Sequence, residues 1–166
     1  MKVIPSSQLP EYGSFVISRF DGLQKDAVSR LIGWIRDQDP LVKDMAIVDA
    51  SKVIDEFHLI LAINRALHAD SRGNLKTTNI YSEVLYMLSP TKNIRDAFKN
   101  FGISESTTSA IVIQVAKGEE ELEQAKAKLG DLDLGKDTYS DGFDNGSTNI
   151  DAIKKASEDE RSVKLG

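Results

Sequence analysis

Four polar residues in the short segment from Ser89 to Arg95 could together bind a phosphate group. Two are hydroxyl donors and two are cations, and backbone N–H groups at a helix start can add further hydrogen bonds. The cations are also predicted to lie at a helix N-terminus, where the macrodipole disfavours them unless an anion binds in the same place. The alternative is that the lysine is solvated and that Arg95 pairs with Asp96 or Glu83. The four residues of this predicted site are Ser89, Thr91, Lys92 and Arg95.

The other polar patterns of the chain do not indicate catalysis. His58 and His68 are its two histidines, and they are about 80° apart around a helix, which makes them poor co-ligands for a metal. The motifs of zinc proteases, serine hydrolases and nucleotide-binding loops do not occur. The acidic loop 131–146 matches a calcium-binding loop only in part, because Tyr139 and Thr148 replace oxygen ligands. We therefore predict no enzymatic activity, no metal and no cofactor.

Length and composition are those of one ordinary soluble domain. The chain has 166 residues, of which 40% are hydrophobic and 28% charged, and it has no apolar run long enough to cross a membrane. It has no cysteine, which excludes disulfides and thiolate metal sites and fits a reducing compartment. The N-terminus lacks the pattern of a signal peptide. We therefore expect a soluble intracellular protein without membrane contact.

The charge is unevenly distributed along the chain. A net charge of -5 argues against a free-standing nucleic-acid binder, because phosphate attraction requires positive surface. Residues 65–99, however, contain six basic and three acidic residues, whereas residues 119–160 contain thirteen acidic and five basic ones. The middle of the chain could therefore face a polyanion. A solvated surface with an acidic loop is an equally simple explanation.

Strand-like and helix-like segments alternate along the chain. This alternation predicts an α/β fold, with a single domain in which helices flank a mixed β-sheet of about four strands. The predicted strands are Ser14–Phe20, Met45–Val48, Val84–Leu88 and Ala110–Val115. The predicted helices are Gly22–Arg36, Asp55–Ala69, Asn93–Phe101 and Gly118–Leu129. We place one domain at residues 1–166, with a loose acidic segment at 130–147, a short helix at 149–155 and a short C-terminal tail.

The predicted helix Asn93–Phe101, at the predicted phosphate-binding site, has unusually consistent local sequence signals. Asn93 is a good N-cap, and Gly102 is predicted to end the helix in the left-handed conformation. Upstream, the apolar run Val84–Leu88 predicts a buried strand, which Pro90 would end because proline has no N–H for a central ladder. The apolar stripe of the helix is predicted to consist of Ile94, Ala97, Phe98 and Phe101.

The predicted helix Asp55–Ala69 is apolar over more of its circumference than an ordinary surface helix. Its central stripe covers about 160°, whereas core contact requires roughly 100°. Phe57 and Leu61 extend the apolar surface further. This excess indicates burial from two directions, either within the domain or by a partner protein. The sequence leaves both alternatives open.

Three blocks of the sequence, residues 53–67, 75–78 and 88–104, share a pattern with a known family. The third block is the most specific, because Leu-Ser-Pro-x-x-Asn-Ile-x-x-Ala-Phe-x-x-Phe-Gly-Ile combines a turn, a helix cap and an apolar stripe in fixed order. The blocks resemble the PRPK-binding protein family (TPRKB in animals), whose members are the small accessory subunit of the KEOPS, or EKC, complex. The resemblance is good over residues 49–115 and weaker before them.

Membership of that family implies a protein that binds the complex's small atypical kinase. Through the kinase it would join the threonylcarbamoyl transferase, which modifies the adenosine beside the anticodon in tRNAs that read codons beginning with A. The resemblance thus implies a non-catalytic subunit, located in the nucleus and cytoplasm, that modulates this modification, with links to telomere maintenance and transcription. The alternative it implies is a module that binds the tRNA 3′ end and recruits tRNA to the complex.

The resemblance and the residue patterns indicate the same two surfaces. The kinase-binding residues implied are Phe57, Leu61 and Asn64. The tRNA-binding residues implied are Lys76, Ser89, Thr91, Lys92 and Arg95. Tyr81 and Tyr86 are the nearest aromatic residues for base stacking, but Tyr86 is expected in the strand and in the core.

Two features depart from the family pattern. Thr78 stands where the family has a basic residue, which thins the expected positive surface. Members of the family typically end with a further apolar helix, whereas this sequence stops at Leu165-Gly166, so we do not expect the contacts that such a helix would make.

Overall fold

The structure, a computed structural model, describes residues 1–6 and 9–139. These residues form two compact units. The sheet unit consists of the described residues among 1–49 and 103–139, and the helical unit consists of residues 50–102. The predicted helix 149–155, the tail and most of the predicted acidic segment lie outside the described residues. The assignment of the whole chain to a single domain stays a prediction.

Four strands and five α-helices are present in this described part of the chain. The strands are β1 Lys2–Pro5, β2 Ser14–Phe20, β3 Ala46–Asp49 and β4 Ala110–Ala116. The helices are α1 Lys25–Arg36, α2 Glu56–Ser71, α3 Ile80–Leu88, α4 Ile94–Phe101 and α5 Glu119–Asp131. The predicted α/β class and the sheet of about four strands are confirmed.

The sheet has the strand order β1-β2-β4-β3, and its three pairings are all antiparallel. The prediction of a mixed sheet was therefore wrong. Strands β2 and β3 do run in the same direction, as the helical crossover through α1 implies, since each is antiparallel to β4. They form no parallel ladder because β4 lies between them.

The predicted strand Val84–Leu88 is instead the C-terminal part of helix α3. A five-residue apolar run fits a buried strand or a buried helix equally well. What decides here is the capping residue Asn79, whose side chain accepts a hydrogen bond from the Ser82 N–H at 2.9 Å. Val84 and Leu88 are buried and four residues apart, so they lie on the same face of a helix. Tyr86 is accordingly half-buried on α3 and lies neither in a strand nor in the core.

The fourth strand of the sheet is β1, which the sequence analysis missed. It is a mostly exposed edge strand, so its side chains show no alternation between apolar and polar residues. It pairs with β2 through a connection that requires a glycine. Gly13 has φ 67°, and a Cβ atom there would lie 2.4 Å from the carbonyl oxygen of Ala116. Both the left-handed conformation and the close approach to the backbone exclude larger residues.

Strands β2, β3 and β4 are buried on both faces of the sheet. On one face the strands pack against α1 and α5, in a core to which Leu31 and Leu129 contribute from the helices. The strand residues on that face are Val16, Phe20, Ile47, Ala110, Val112 and Ala116. On the other face Phe15, Ile17 and Ile111 are also buried. Burial on both sides explains why β3 and β4 are continuous apolar runs rather than alternating ones.

Helix α1 begins three residues later than predicted. Gly22 has φ 64° and therefore belongs to the preceding turn, while Gln24 takes the N-cap position. Among the described residues, no helix is long and apolar enough to span a membrane. In the same part of the chain, no group of three or more His, Cys, Asp or Glu side chains is arranged to hold a metal ion.

Candidate docking surface on the helical unit

Helix α2 presents an apolar pair to solvent in addition to its buried stripe. The helix forms where predicted, because the Asp55 side chain accepts a hydrogen bond from the His58 N–H at 2.7 Å and caps its start. Its buried residues are Leu59, Ala62, Ile63, Ala66 and Leu67. Phe57 and Leu61, by contrast, are 72% and 36% exposed. The excess apolar surface predicted for this helix thus lies on the outside of the chain.

The three predicted kinase-binding residues lie on the same side of α2. At 100° per residue, Phe57, Leu61 and Asn64 fall within an arc of about 60°. Asn64 is half-buried at one edge of that arc. The structure therefore places the three residues on one face of α2. The face is apolar at Phe57 and Leu61 and polar at Asn64.

Helix α4 carries a second exposed apolar pair, which the sequence analysis did not nominate. Ile94 and Phe98 are 38% and 40% exposed, whereas Ala97 and Phe101 are buried. The four residues span about 100° of the helix, which is the width of a single buried stripe, so the spacing gave no signal of exposure. We define the docking surface as Phe57, Leu61 and Asn64 of α2 together with Ile94 and Phe98 of α4.

The His58 side chain, next to Phe57 in the sequence, contacts three segments of the helical unit. Its Nδ1 accepts a hydrogen bond from the Ile54 N–H at 3.2 Å, and its Nε2 lies 2.9 Å from the Leu88 carbonyl oxygen. Its ring also meets the Phe101 ring edge-on, with centroids 6.2 Å apart. The start of α2, the end of α3 and the last turn of α4 therefore meet at one imidazole. The sequence analysis did not predict this role for His58, because contacts across thirty residues leave no local signal.

Glu83 is a fully buried carboxylate that fixes the loop before α3. Both of its oxygens lie 2.9 Å from the Lys76 N–H, and Oε1 also accepts hydrogen bonds from the Thr77 N–H and hydroxyl. Buried carboxylates require such donors to offset the cost of removing them from water. The suggested pairing of Glu83 with Arg95 is therefore wrong.

The predicted phosphate-binding residues are only partly brought together. Ser89 and Thr91 lie in one turn, with their hydroxyl oxygens 3.0 Å apart, and the Thr91 N–H donates to the Ser89 hydroxyl. Lys92 and Arg95 are exposed at the start of α4, and neither makes an ion pair within the described residues. Lys76 lies beyond the opposite end of α3, whose nine residues span about 13 Å. The cations thus form two separate groups.

The glycine that ends α4 acts through close packing and not through a left-handed conformation. Gly102 has φ −70° and ψ 162°, so the predicted left-handed stop was wrong. Its N–H donates to the Phe98 carbonyl at 3.0 Å, and a Cβ atom would lie 2.5 Å from that oxygen. Glycine is required there because no side chain fits against the preceding turn.

The described part of the acidic loop is used to hold the sheet unit together. Asp137 forms an ion pair with the Met1 amino group at 2.9 Å and accepts hydrogen bonds from the Arg19 and Tyr139 N–H groups. Burial raises the pKa of the Asp137 carboxyl, but the Met1 amine and the other donors outweigh this effect and lower the pKa below its usual value. Tyr139 is itself buried.

Comparison with known proteins gives the class to which this chain belongs. The family model described as "Kinase binding protein CGI-121" matches residues 25–156. A match over most of the sequence shows the family. The chain belongs to the CGI-121 family of kinase-binding proteins, and the resemblance inferred from the sequence is confirmed.

Particular relatives have similar names. The chain is 44% identical over 77 residues to the EKC/KEOPS complex subunit TPRKB of Danio rerio, covering 46% of this chain and 44% of that protein. It is 42% identical over 73 residues to the EKC/KEOPS complex subunit cgi121 of Aspergillus fumigatus, covering 44% and 39%. With the EKC/KEOPS complex subunit CGI121 of Candida albicans it shares 31% identity over 134 residues, covering 78% and 66%. The chain thus matches less than half the length of the first two relatives.

Proposed function

We propose that this protein is a non-catalytic subunit of an EKC/KEOPS complex and binds the atypical protein kinase of that complex. The family description and the names of the relatives support the assembly and the class of partner. On the chain itself, the observation that carries the proposal is the exposure of Phe57 and Leu61 on one face of α2. Grouped exposed apolar side chains are typical of protein interaction sites.

The geometry of α2 suits a helix that lies in or against a groove of its partner. Phe57, Leu61 and Asn64 have the spacing i, i+4 and i+7, which is the anchor pattern of such contacts. An aromatic anchor and an aliphatic neighbour supply the apolar centre, and Asn64 supplies a polar edge. We include Ile94 and Phe98 of α4 in the proposed contact, because they are similarly exposed on the same unit.

Co-purification with the kinase tests the proposal directly. From mixed pure components we expect a stable one-to-one complex. Replacing either Phe57 or Leu61 by Asp should weaken it by about thirtyfold or more, because a hot-spot residue contributes about 2 kcal/mol or more. The matched control is Ile35→Asp, since Ile35 is 42% exposed but lies on α1 of the sheet unit. Failure of the unmodified protein to bind the kinase would reject the proposal, and equal loss in the control would reject this surface.

In the assembled complex, the protein would modulate threonylcarbamoylation of the adenosine beside the anticodon in tRNAs that read codons beginning with A. It would do so through the kinase, without a catalytic group of its own, and would act in the nucleus and cytoplasm. A link to telomere maintenance would follow from the same assembly. The measurement is the modification rate of tRNA by the reconstituted complex with and without this subunit. An unchanged rate in a complex that contains the subunit would contradict the modulating role.

A second candidate function is recruitment of tRNA through its 3′ end. The observation that favours it is the exposure of Lys92 and Arg95 beside a helix start, without an ion pair among the residues described. Replacing both by Glu should weaken tRNA binding and reduce its salt dependence, because fewer counterions are released. The matched control is the pair Lys25→Glu and Lys43→Glu, which makes the same charge change at exposed positions of the sheet unit. Equal tRNA binding by the two double variants would remove this candidate.

A further inference from the structure

We infer that His58 is a positioning residue for the kinase contact and makes that contact sensitive to protonation of its imidazole. This inference rests on the proposed function, because it assigns a role within the proposed docking surface. His58 directly follows Phe57, the most exposed large apolar side chain of the described residues, and precedes Leu61 by three positions. Its ring does not belong to the exposed face, since both ring nitrogens are engaged within the unit.

The hydrogen bonds of the ring require one neutral tautomer. The Ile54 backbone supplies an N–H, so Nδ1 must be the unprotonated acceptor. The Leu88 carbonyl can only accept, so Nε2 must carry the proton. An imidazolium would carry a second N–H at Nδ1 that points at the N–H of Ile54. Protonation therefore breaks the bond that closes the segment before α2 onto the helix.

The hydrogen bond between the Ile54 N–H and the His58 ring lies at the first turn of α2, which carries Phe57. The first backbone N–H groups of a helix have no partner in the helical ladder, and helix ends fray unless side chains hold them. Here the Asp55 carboxylate holds the His58 N–H, and the His58 ring holds the Ile54 N–H. Phe57 lies in the same turn as these two hydrogen bonds. When the hydrogen bond from the Ile54 N–H to the His58 ring is lost, the first turn of α2 must be ordered again as the kinase binds. Ordering a segment on binding reduces affinity.

The donor geometry at the ring decides the sign of the pH dependence, because Nδ1 accepts a hydrogen bond only in the neutral imidazole. On α3, Glu83 is already bound to the loop backbone at the far end of the helix. Acid should therefore weaken kinase binding. Besides His58, the titratable groups on α2 with its N-cap, on α3 and on α4 are Asp55, Glu56, Arg65, His68, Asp70, Tyr81, Glu83, Tyr86, Arg95, Asp96 and Lys99.

The test measures affinity for the kinase between about pH 8 and pH 5.5, the range in which imidazoles titrate. The proteins compared are the unmodified full chain, His58→Gln, His58→Ala and the matched control His68→Gln, which removes the second histidine. We expect about tenfold weaker binding by the unmodified chain at the acidic limit, as for the loss of one or two hydrogen bonds. His58→Gln keeps a donor for the Leu88 carbonyl, so it should bind within about threefold at pH 8 and lose the pH dependence that depends on His58. His58→Ala should be about tenfold weaker at pH 8, and His68→Gln should keep the full pH dependence.

Two outcomes would overturn this role. One is a full pH dependence in His58→Gln, and the other is unmodified affinity in His58→Ala. If Phe57→Asp leaves kinase binding intact, the docking surface itself is wrong. If Phe57→Asp abolishes binding and the His58 variants behave like the unmodified chain, only the positioning role fails. Should His58→Ala not fold, as judged by thermal unfolding, the pH dependence of His58→Gln decides alone.

Discussion

The two units differ in the apolar surface that they expose and in the balance of their charges. Six large hydrophobic side chains are exposed in the described part of the chain, and four of them belong to the 53 residues of the helical unit. Buried polar side chains form internal hydrogen bonds in both units, with Glu83 in the helical unit and Asp49 and Gln114 in the sheet unit. Thr107 donates to the buried Asp49 at 3.0 Å, and Gln114 donates to the Ala125 carbonyl at 3.1 Å. The helical unit thus exposes most of the large apolar side chains, which is the property that the proposed docking surface requires.

The two units also differ in their balance of basic and acidic side chains. Of the described residues, the helical unit has seven basic and five acidic side chains, whereas the sheet unit has ten basic and fifteen acidic ones. Two of the five acids in the helical unit, Asp55 and Glu83, are occupied by backbone N–H groups. The overall net charge of -5 therefore conceals a unit with exposed cations. Net charge alone is a poor guide to function when the units differ in sign.

The largest expected difference between the units is in the stability lost when one large apolar side chain is truncated in each. Leu31→Ala in the sheet core should lower the free energy of unfolding by about 2–5 kcal/mol, because Leu31 is fully buried and a cavity remains. Phe98→Ala on the helical unit should cost less than about 1 kcal/mol, because the side chain is 40% exposed. Chemical denaturation measures both values. Comparable losses would show that Phe98 is a core residue and remove it from the docking surface.

A smaller effect is expected from the buried carboxylate of the helical unit. Glu83→Gln keeps the shape of the side chain but places an NH₂ group against the N–H donors of Lys76 and Thr77. The expected loss is about 1–3 kcal/mol, the cost of leaving a buried polar group unsatisfied. Thermal unfolding would show it, with Glu120→Gln on the exposed part of α5 as the matched control. An unchanged unfolding temperature would mean that the loop is not held by this carboxylate.

Sequence patterns identified the elements with strong local signals and failed where distant residues decide. Helix α2 and strand β2 were predicted almost to the residue, because a capping Asp55 and an alternating strand are local features. Strand β1 was missed because an exposed edge strand has no periodic signal. Helix α3 was mistaken for a strand because a five-residue apolar run has no period of its own. The assignment of Asn79 as a cap would have corrected this.

The candidate site shows the same division. The exposure of Phe57 and Leu61 was anticipated as one of two alternatives, because an apolar arc wider than a core contact is visible on a helical wheel. The exposure of Ile94 and Phe98 could not be predicted, because it depends on which edge of an apolar stripe of ordinary width the fold leaves in contact with solvent. His58 was beyond sequence reasoning, since its partner Leu88 lies thirty residues away on a helix that had been predicted as a strand.

The smallest predicted effect is a loss of stability in acid that comes from Asp137 of the sheet unit. In the sheet unit, the pKa of Asp137 is lowered in the folded state, so its stabilising contribution is fully present above the ordinary aspartate pKa of about 3.9. That contribution is lost as the pH falls through the lowered value, because the carboxyl must then bind a proton. The difference in unfolding free energy between the unmodified chain and Asp137→Asn should therefore be constant near neutrality and shrink below about pH 4. Asp131→Asn, at an exposed position on α5, is the control. A difference that stayed constant into strong acid would show that the charge of the Asp137 carboxylate, including its ion pair with Met1, contributes nothing to stability.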